Sequence, residues 1–157
     1  TPGDQLAVEP IESMPLEGLF IKAYFDADGA VTEMSVKAGE RFSFGVWAET
    51  AAPYTTNAAQ YSIDLPPGVR VVSVMEFAAK KASIGDYQDN YQIAYECQPS
   101  GRFRLVEYFC AADPEFKGGE VKVVPGFDSR GVPYLGFSTC DFQHGPAAAG
   151  SATLKLK

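Results

Sequence analysis

The chain has 157 residues, which is the usual length of one globular domain. Hydrophobic residues make up 46% of it and charged residues 21%, so the chain can bury a core without help from a metal or a disulfide. Thirteen Lys and Arg residues against twenty Asp and Glu residues give a formal net charge of −7. Because an acidic surface repels phosphate backbones, we expect no nucleic-acid partner. No apolar run approaches the ~20 residues of a membrane helix, so we expect no membrane insertion.

The first seventeen residues differ from the rest of the chain. They contain three prolines and no regular alternation, which predicts an N-terminal arm or edge segment over residues 1–17, ahead of one domain over residues 18–157. Val8, Ile11 and Met14 are the apolar candidates by which this arm would add as a strand to a neighbouring subunit. The alternative is that the arm packs on its own domain. The chain begins without a Met or an apolar leader, so we expect a signal peptide to have been removed.

Apolar residues recur with a period of two along most of the chain. Phe42, Phe44 and Val46 alternate with Ser43, Gly45 and Trp47, and residues 59–65, 91–97 and 151–157 repeat this pattern. Such alternation is typical of strands with one buried face. The best helical window, residues 76–83, is short and equally compatible with a strand. We therefore predict an all-β fold, an antiparallel β-sandwich of immunoglobulin-like or jelly-roll-like type with about nine or ten strands.

Turn residues separate these predicted strands. Residues 26–29 read Asp-Ala-Asp-Gly and predict a hairpin between strands at 19–25 and 31–36. Residues 99–101 read Pro-Ser-Gly and predict a second hairpin between strands at 91–97 and 102–110.

Three cysteines, Cys97, Cys110 and Cys140, fit no zinc or redox spacing. In a secreted protein, three cysteines suggest one bridge and one remaining thiol. The predicted hairpin at 99–101 places Cys97 opposite Arg104, so it does not bring Cys97 close enough to Cys110 for a disulfide. Cys140 is then a candidate partner for either of them. The alternative is three buried free thiols.

The order of several segments carries a family resemblance. "VKAGERFSFGVWAE" is followed by "AAQYSIDLPPGVRVVSV", and near the end "YLGFSTCDFQ" precedes "AAAGSATLKLK". This order resembles the cohesin-like, immunoglobulin-like β-sandwich domains of secreted bacterial and archaeal proteins. The resemblance implies an extracellular or cell-surface location and a role in binding or assembly. Residues 80–131 depart from it, so no dockerin-binding residue is carried over.

The sequence favours no catalytic site. Its one histidine, His144, lies near Cys140 and Asp141, but the segment predicts a strand that runs into a turn, where these side chains need not converge. The carboxylates are scattered, and no glycine-rich phosphate-binding motif is present. We therefore expect a protein that is not an enzyme.

Two oxygen-rich loops are candidate calcium sites, and we expect no other cofactor. The first contains Asp26 and Asp28, with Glu33 following, and the second contains Asp86 and Asp89 beside Asn90. Calcium needs six to eight oxygen ligands, so either loop would need further donors. The alternative is that these Asp and Gly residues only form turns.

Aromatic residues give a second set of candidate ligand or interface residues. If Phe42, Phe44 and Val46 face the core, Trp47 points outward, where it could stack on a sugar or anchor an interface. Tyr54, Tyr87 and Tyr134 lie in or beside loops and could join it. The alternative is that the arm or another strand covers this outward face.

Together these patterns predict a non-catalytic extracellular β-sandwich that acts through surface contacts. The main hypothesis is a structural or adhesive subunit that forms oligomers or fibres with other subunits by strand addition. A carbohydrate-binding module for surface glycans and a cohesin-like protein-recognition module are the alternatives.

Overall fold

The computed structural model describes residues 17–157, which form fifteen β-strands and no helix. The all-β prediction is therefore confirmed. No helix within this part of the chain is long and apolar enough to cross a membrane. Val8, Ile11 and Met14 lie outside the described residues, so the arm and its strand addition stay predictions.

The strands follow one another without long gaps. They are β1 (Leu19–Tyr24), β2 (Glu33–Val36), β3 (Arg41–Thr50), β4 (Thr56–Asp64), β5 (Val69–Glu76), β6 (Lys80–Ile84), β7 (Tyr91–Gln98), β8 (Gly101–Ala112), β9 (Gly119–Val124), β10 (Gly126–Phe127), β11 (Pro133–Tyr134), β12 (Gly136–Thr139), β13 (His144–Pro146), β14 (Ala148–Gly150) and β15 (Ala152–Leu156). The number exceeds the predicted nine or ten because four of them, β10, β11, β13 and β14, have only two or three residues.

Two large sheets carry the fold. The first has five strands in the order β14-β1-β3-β8-β5. The second has eight strands, in the order β13-β12-β4-β9-β15-β2, with β7 added to β4 and β6 added to β7. Most neighbours are antiparallel, but β14 runs parallel to β1 and β15 runs parallel to β2. Ser151 separates β14 from β15, so the chain passes there from one sheet to the other.

The core lies between the two sheets and is rich in aromatic residues. Phe44 of the first sheet stacks on Tyr108, with ring centroids 4.9 Å apart. The Tyr108 hydroxyl lies 2.9 Å from that of Tyr61 of the second sheet. All three side chains are fully buried, and burial of such side chains contributes about 1.5–3 kcal/mol each. This packing fixes which side of each strand faces outward.

Both predicted hairpins are wrong as strand pairings. β1 pairs with β3 and β14, whereas β2 pairs with β15, so residues 26–29 connect the two sheets. β7 pairs with β4 and β6, whereas β8 pairs with β3 and β5, so residues 99–100 also connect the sheets. Turn residues mark where a strand ends, but they do not decide which sheet takes the next strand. Residues 76–83 form the end of β5 and most of β6, which confirms the strand alternative for that window.

Candidate functional site

One disulfide and one free thiol account for the three cysteines. Cys97, in β7, is bonded to Cys140, in the turn after β12, with their Cα atoms 5.9 Å apart. Cys110 is buried and free, and burial raises the pKa of its thiol to about 12. The prediction of one bridge and one remaining thiol is confirmed, and the alternative of three free thiols is wrong. Because Cys140 is bridged, it offers no thiolate to His144.

Trp47 points outward from the first sheet but is surrounded by other side chains. The Arg102 guanidinium lies 4.9 Å from the Trp47 ring centroid and the Arg104 guanidinium 5.6 Å. The Tyr24 ring meets Trp47 edge to face, with the ring centroids 6.3 Å apart. Each such cation–π contact contributes roughly 0.5–2 kcal/mol. The indole face is therefore occupied by side chains of the same chain.

The loop at residues 26–29 covers this cluster. Arg102 donates hydrogen bonds to the carbonyl oxygens of Asp28 and Gly29, and Arg104 donates one to the carbonyl oxygen of Ala27. A Cβ placed on Gly29 would lie 2.9 Å from the Trp47 ring. We call this surface the roofed face; it consists of residues 26–29 over Tyr24, Trp47, Glu49, Arg102 and Arg104. The alternative named the N-terminal arm or another strand as the cover of Trp47; the structure places this loop there instead, and residues 1–16 lie outside the described part of the chain.

Carboxylates complete the roofed face. Glu49 accepts hydrogen bonds from the Tyr24 hydroxyl at 2.7 Å and from Arg102 at 3.0 Å, and it pairs with Lys22 at 3.1 Å. Burial alone would raise the pKa of Glu49, but these hydrogen bonds outweigh burial and hold the pKa below its usual value. Glu107 pairs with Arg104 at 3.3 Å, and burial raises the pKa of Glu107. Most polar groups of this face thus have partners within it, but among the described residues the buried Nε1–H of Trp47 and Nε–H of Arg104 have no hydrogen-bond acceptor.

The predicted calcium ligands lie in two separate places, Asp26, Asp28 and Glu33 in one and Asp86 and Asp89 in the other. The carboxylates of Asp26, Glu33 and Asp86 have other partners. The Asp26 carboxylate accepts hydrogen bonds from the backbone N–H groups of Val31 and Ala30, which lower its pKa. Glu33 pairs with Lys155, and Asp86 accepts a hydrogen bond from the backbone of Gln88. Within residues 17–157, no group of three or more His, Cys, Asp and Glu side chains could hold a metal. Calcium binding stays an untested prediction.

The outer side of the second sheet is bare by comparison. Strand register places one row of outward residues across five strands: Ala82, Ala94, Ala58, Ser138 and His144. A second row, Ile84, Gln92, Gln60 and Gly136, runs beside it. Side chains of both rows line a shallow, mainly apolar recess of about 290 Å³. We call these two rows the alanine face.

The short hairpin of β10 and β11 borders the alanine face at one corner. Tyr134 of β11 donates a hydrogen bond to the carbonyl of Phe137 at 2.9 Å, and its ring meets that of His144 edge to face at 6.1 Å. Asn90 fastens the hairpin, because its side-chain oxygen accepts hydrogen bonds from Gln60 and from the backbone of Phe127, each at 2.8 Å. A more polar recess of about 360 Å³ continues past this corner.

The predicted aromatic residues do not form one surface. Tyr54 and Tyr87 are partly buried and pack against the core, and Trp47 belongs to the roofed face on the other sheet. Tyr134 alone of the four lines the alanine face.

Comparisons with solved structures fit this architecture. The seventh ScaB type I cohesin from Pseudobacteroides cellulosolvens matches with a TM-score of 0.61 at 7% identity, covering 89% of this chain and 92% of its own. The Coh-OlpC-Doc435 complex, a type I cohesin–dockerin complex from Clostridium thermocellum, matches with a TM-score of 0.60 at 10% identity, covering 92% and 97%. The chain has a cohesin-like fold.

An archaeal structure extends the same similarity. A non-cellulosomal cohesin from Archaeoglobus fulgidus matches with a TM-score of 0.54 at 15% identity, covering 89% of this chain and 91% of its own. No protein-family model and no curated protein matches the sequence. The predicted cohesin-like resemblance is confirmed for the fold.

Sequence reasoning missed the alanine face. Ala94 and Gln92 alternate with buried residues in the sequence, which correctly indicates that they point outward. Ala58 has the same signal on β4, but only strand register shows that these alanines lie in one row. His144 is exposed and is the first residue of strand β13.

Proposed function

We propose that this chain is a non-catalytic, cohesin-like recognition module, and that it binds a dockerin-like partner domain through the alanine face. The observation that carries the proposal is the contrast between this bare apolar recess and the covered outer side of the other sheet. Structures of similar fold from Clostridium thermocellum and R. flavefaciens are of cohesins in complex with dockerins.

The alanine face has the physical properties of an interface core. Ala58, Ala82 and Ala94 have no side-chain rotamers to immobilise, and neither row contains a Lys, Arg, Asp or Glu that a partner would have to desolvate. Four steps between five strands span about 19 Å at roughly 4.8 Å each. Such a width accommodates one element of a partner domain, while Gln60 and Gln92 offer hydrogen bonds at its side.

The disulfide supports a location outside the cytoplasm. Disulfides persist in oxidising compartments and are rare in the reducing cytosol. The Cys97–Cys140 bridge thus agrees with an extracellular or cell-surface module. Strand addition by residues 1–17 and glycan binding remain hypotheses that rest on the sequence.

Binding to purified dockerin domains encoded by the same genome tests the proposal. We expect Ala94→Lys to weaken binding at least 100-fold, because it places an unpaired charge in the centre of the recess. Ser73→Lys, on an exposed position of β5 in the other sheet, is the matched control and should leave affinity within twofold. Calorimetric titration measures both, and circular dichroism verifies that each variant folds.

Two results would contradict the proposal. If none of these dockerin domains binds the wild-type chain, the partner class is wrong. If a dockerin domain binds and Ala94→Lys binds equally well, the assigned face is wrong.

A further inference from the structure

Phe142 stands out from every other large apolar residue among residues 17–157. Its side chain is 85% exposed, more than that of Ile84 at 69% or Met75 at 51%. Its backbone lies in the left-handed region, with φ of 67°. This region is unfavourable for a bulky residue and is normally occupied by Gly or Asn. Folding therefore gains nothing evident from a phenylalanine at this position.

The turn that carries Phe142 is held firmly. The Phe142 N–H donates to the Thr139 carbonyl and the Thr139 N–H to the Gln143 carbonyl, each at 2.9 Å. The Gln143 N–H donates to the Thr139 hydroxyl at 2.9 Å, and that hydroxyl donates to the Asp141 carboxylate. Thr139 thus organises the whole turn, and its side chain is buried in doing so.

Two further connections fix the turn to the sheet. The Cys140 N–H donates to the carbonyl of Thr55 at 3.0 Å, and the Cys140 sulfur is bonded to Cys97 of β7. The backbone that carries the exposed ring is therefore held in place before any partner arrives. Binding then costs little backbone ordering entropy, and the exposed ring is the part of the turn available to a partner.

The turn also lies next to the alanine face. It joins β12 to β13, and the last residue pair before it is Ser138 with His144, which ends the first outward row. The turn that carries Phe142 therefore begins at the edge of the surface assigned above to a partner.

We propose that Phe142 is an anchor residue of the recognition surface, and that it inserts into an apolar pocket of the partner protein beside the contact made by the alanine face. This inference rests on the proposed function and adds to it a residue that determines affinity and specificity. The partner must then present an apolar pocket, lined by aliphatic or aromatic side chains, next to the surface by which it contacts the alanine face.

One substitution separates binding from folding. Phe142→Asn removes the aromatic ring and supplies a residue that tolerates a positive φ. We expect its melting temperature to equal or exceed that of the wild type, while its affinity for the dockerin domain that binds the wild type falls at least tenfold. Met75→Asn, at an exposed apolar residue of the other sheet, is the matched control and should bind within twofold of wild type.

The outcomes are distinct. If Ala94→Lys abolishes binding but Phe142→Asn leaves it unchanged, the anchor is wrong and the proposed face stands. A lower melting temperature for Phe142→Asn shows that the ring serves folding, and it overturns the anchor even if no dockerin domain binds the wild type.

Two further assays exclude other occupants. Binding of the wild type, but not of Phe142→Asn, to a panel of insoluble polysaccharides would assign the ring to a glycan and overturn a protein pocket. Self-association of the wild type that is lost in Phe142→Asn, seen by sedimentation velocity, would assign it to a second copy of this chain.

Discussion

The two sheets present outer sides of opposite character. On the roofed face, Arg102 and Arg104 hold the loop at residues 26–29 over Trp47, and Glu49 accepts a hydrogen bond from Arg102. On the alanine face, small side chains leave the sheet uncovered across five strands. The difference teaches that an outward tryptophan or a charged cluster is not by itself a binding surface. What distinguishes the two faces is whether the chain has already supplied their partners.

A single glycine illustrates how closely the roofed face is packed. A Cβ on Gly45 would lie 2.6 Å from a carboxylate oxygen of Glu107 and 3.1 Å from the indole nitrogen of Trp47. On the alanine face, Gly136 at the edge is also closely packed, since a Cβ there would lie 2.8 Å from the Tyr134 hydroxyl, whereas the small side chains of Ala58, Ala82 and Ala94 line an open recess. The following measurements test how far this contrast extends to stability.

The largest effect is expected from the disulfide, which belongs to the sheet of the alanine face. Replacing both Cys97 and Cys140 with Ala removes a bridge that closes a loop with a sequence separation of 43. The chain-entropy argument gives a loss of about 4 kcal/mol in the free energy of unfolding. Urea unfolding measures it, with Cys110→Ala as a control for loss of a thiol outside the bridge. A loss below about 1 kcal/mol would show that the uncovered sheet does not depend on this bridge.

The next effect compares large apolar residues on the two outer sides. Trp47→Ala removes contacts with both arginines and Tyr24, and we expect it to lower the free energy of unfolding by about 3 kcal/mol. Ile84→Ala, at a residue 69% exposed on the alanine face, should change it by no more than about 0.5 kcal/mol. Equal effects in thermal or urea unfolding would remove the distinction between the faces.

The smallest effect concerns pH and Glu49. Its folded-state pKa lies below the usual value, so its contribution to stability is complete above the unfolded pKa of about 4.3 and is lost as pH falls through the folded pKa. Unfolding free energy measured from pH 7 to pH 2.5 should therefore fall at the acid end, and Glu49→Gln should flatten that part of the curve. An identical acid slope in the two proteins would show that the roofed face does not depend on this carboxylate.

Local pattern predicted much of the fold. Alternation along β3 correctly placed Phe42, Phe44 and Val46 in the core and Trp47 outside, because side chains of a strand alternate regardless of its neighbours. Which strands pair could not be predicted in this way. Residues 26–29 and 99–100 would be turn residues whether the next strand stays in the same sheet or passes to the other. The disulfide depends on pairing in the same way, so the sequence left Cys140 with two candidate partners.

The candidate site depended even more on distant contacts. Covering of Trp47 requires Arg104, which lies 77 residues from its acceptor Ala27. The row of Ala58 and Ala94 requires the register of β4 against β7. The sequence did not single out Phe142, because a phenylalanine within "CDFQ" on a predicted strand gives no indication of a positive φ. Residue types were readable, but their assembly into a surface was not.

The crossing at Ser151 has a consequence for how the molecule folds. β14 pairs with β1 through Phe20 and Ala148, which are 148 − 20 = 128 residues apart, and β15 pairs with β2 through Glu33 and Thr153. Both pairings depend on residues 148–156, so neither sheet gains its parallel edge contact until that segment arrives. Native pairing over such separations is slow. In a polypeptide growing on the ribosome, the edge of β1 that pairs with β14 and the edge of β2 that pairs with β15 would therefore stay unpaired until residue 156 has emerged.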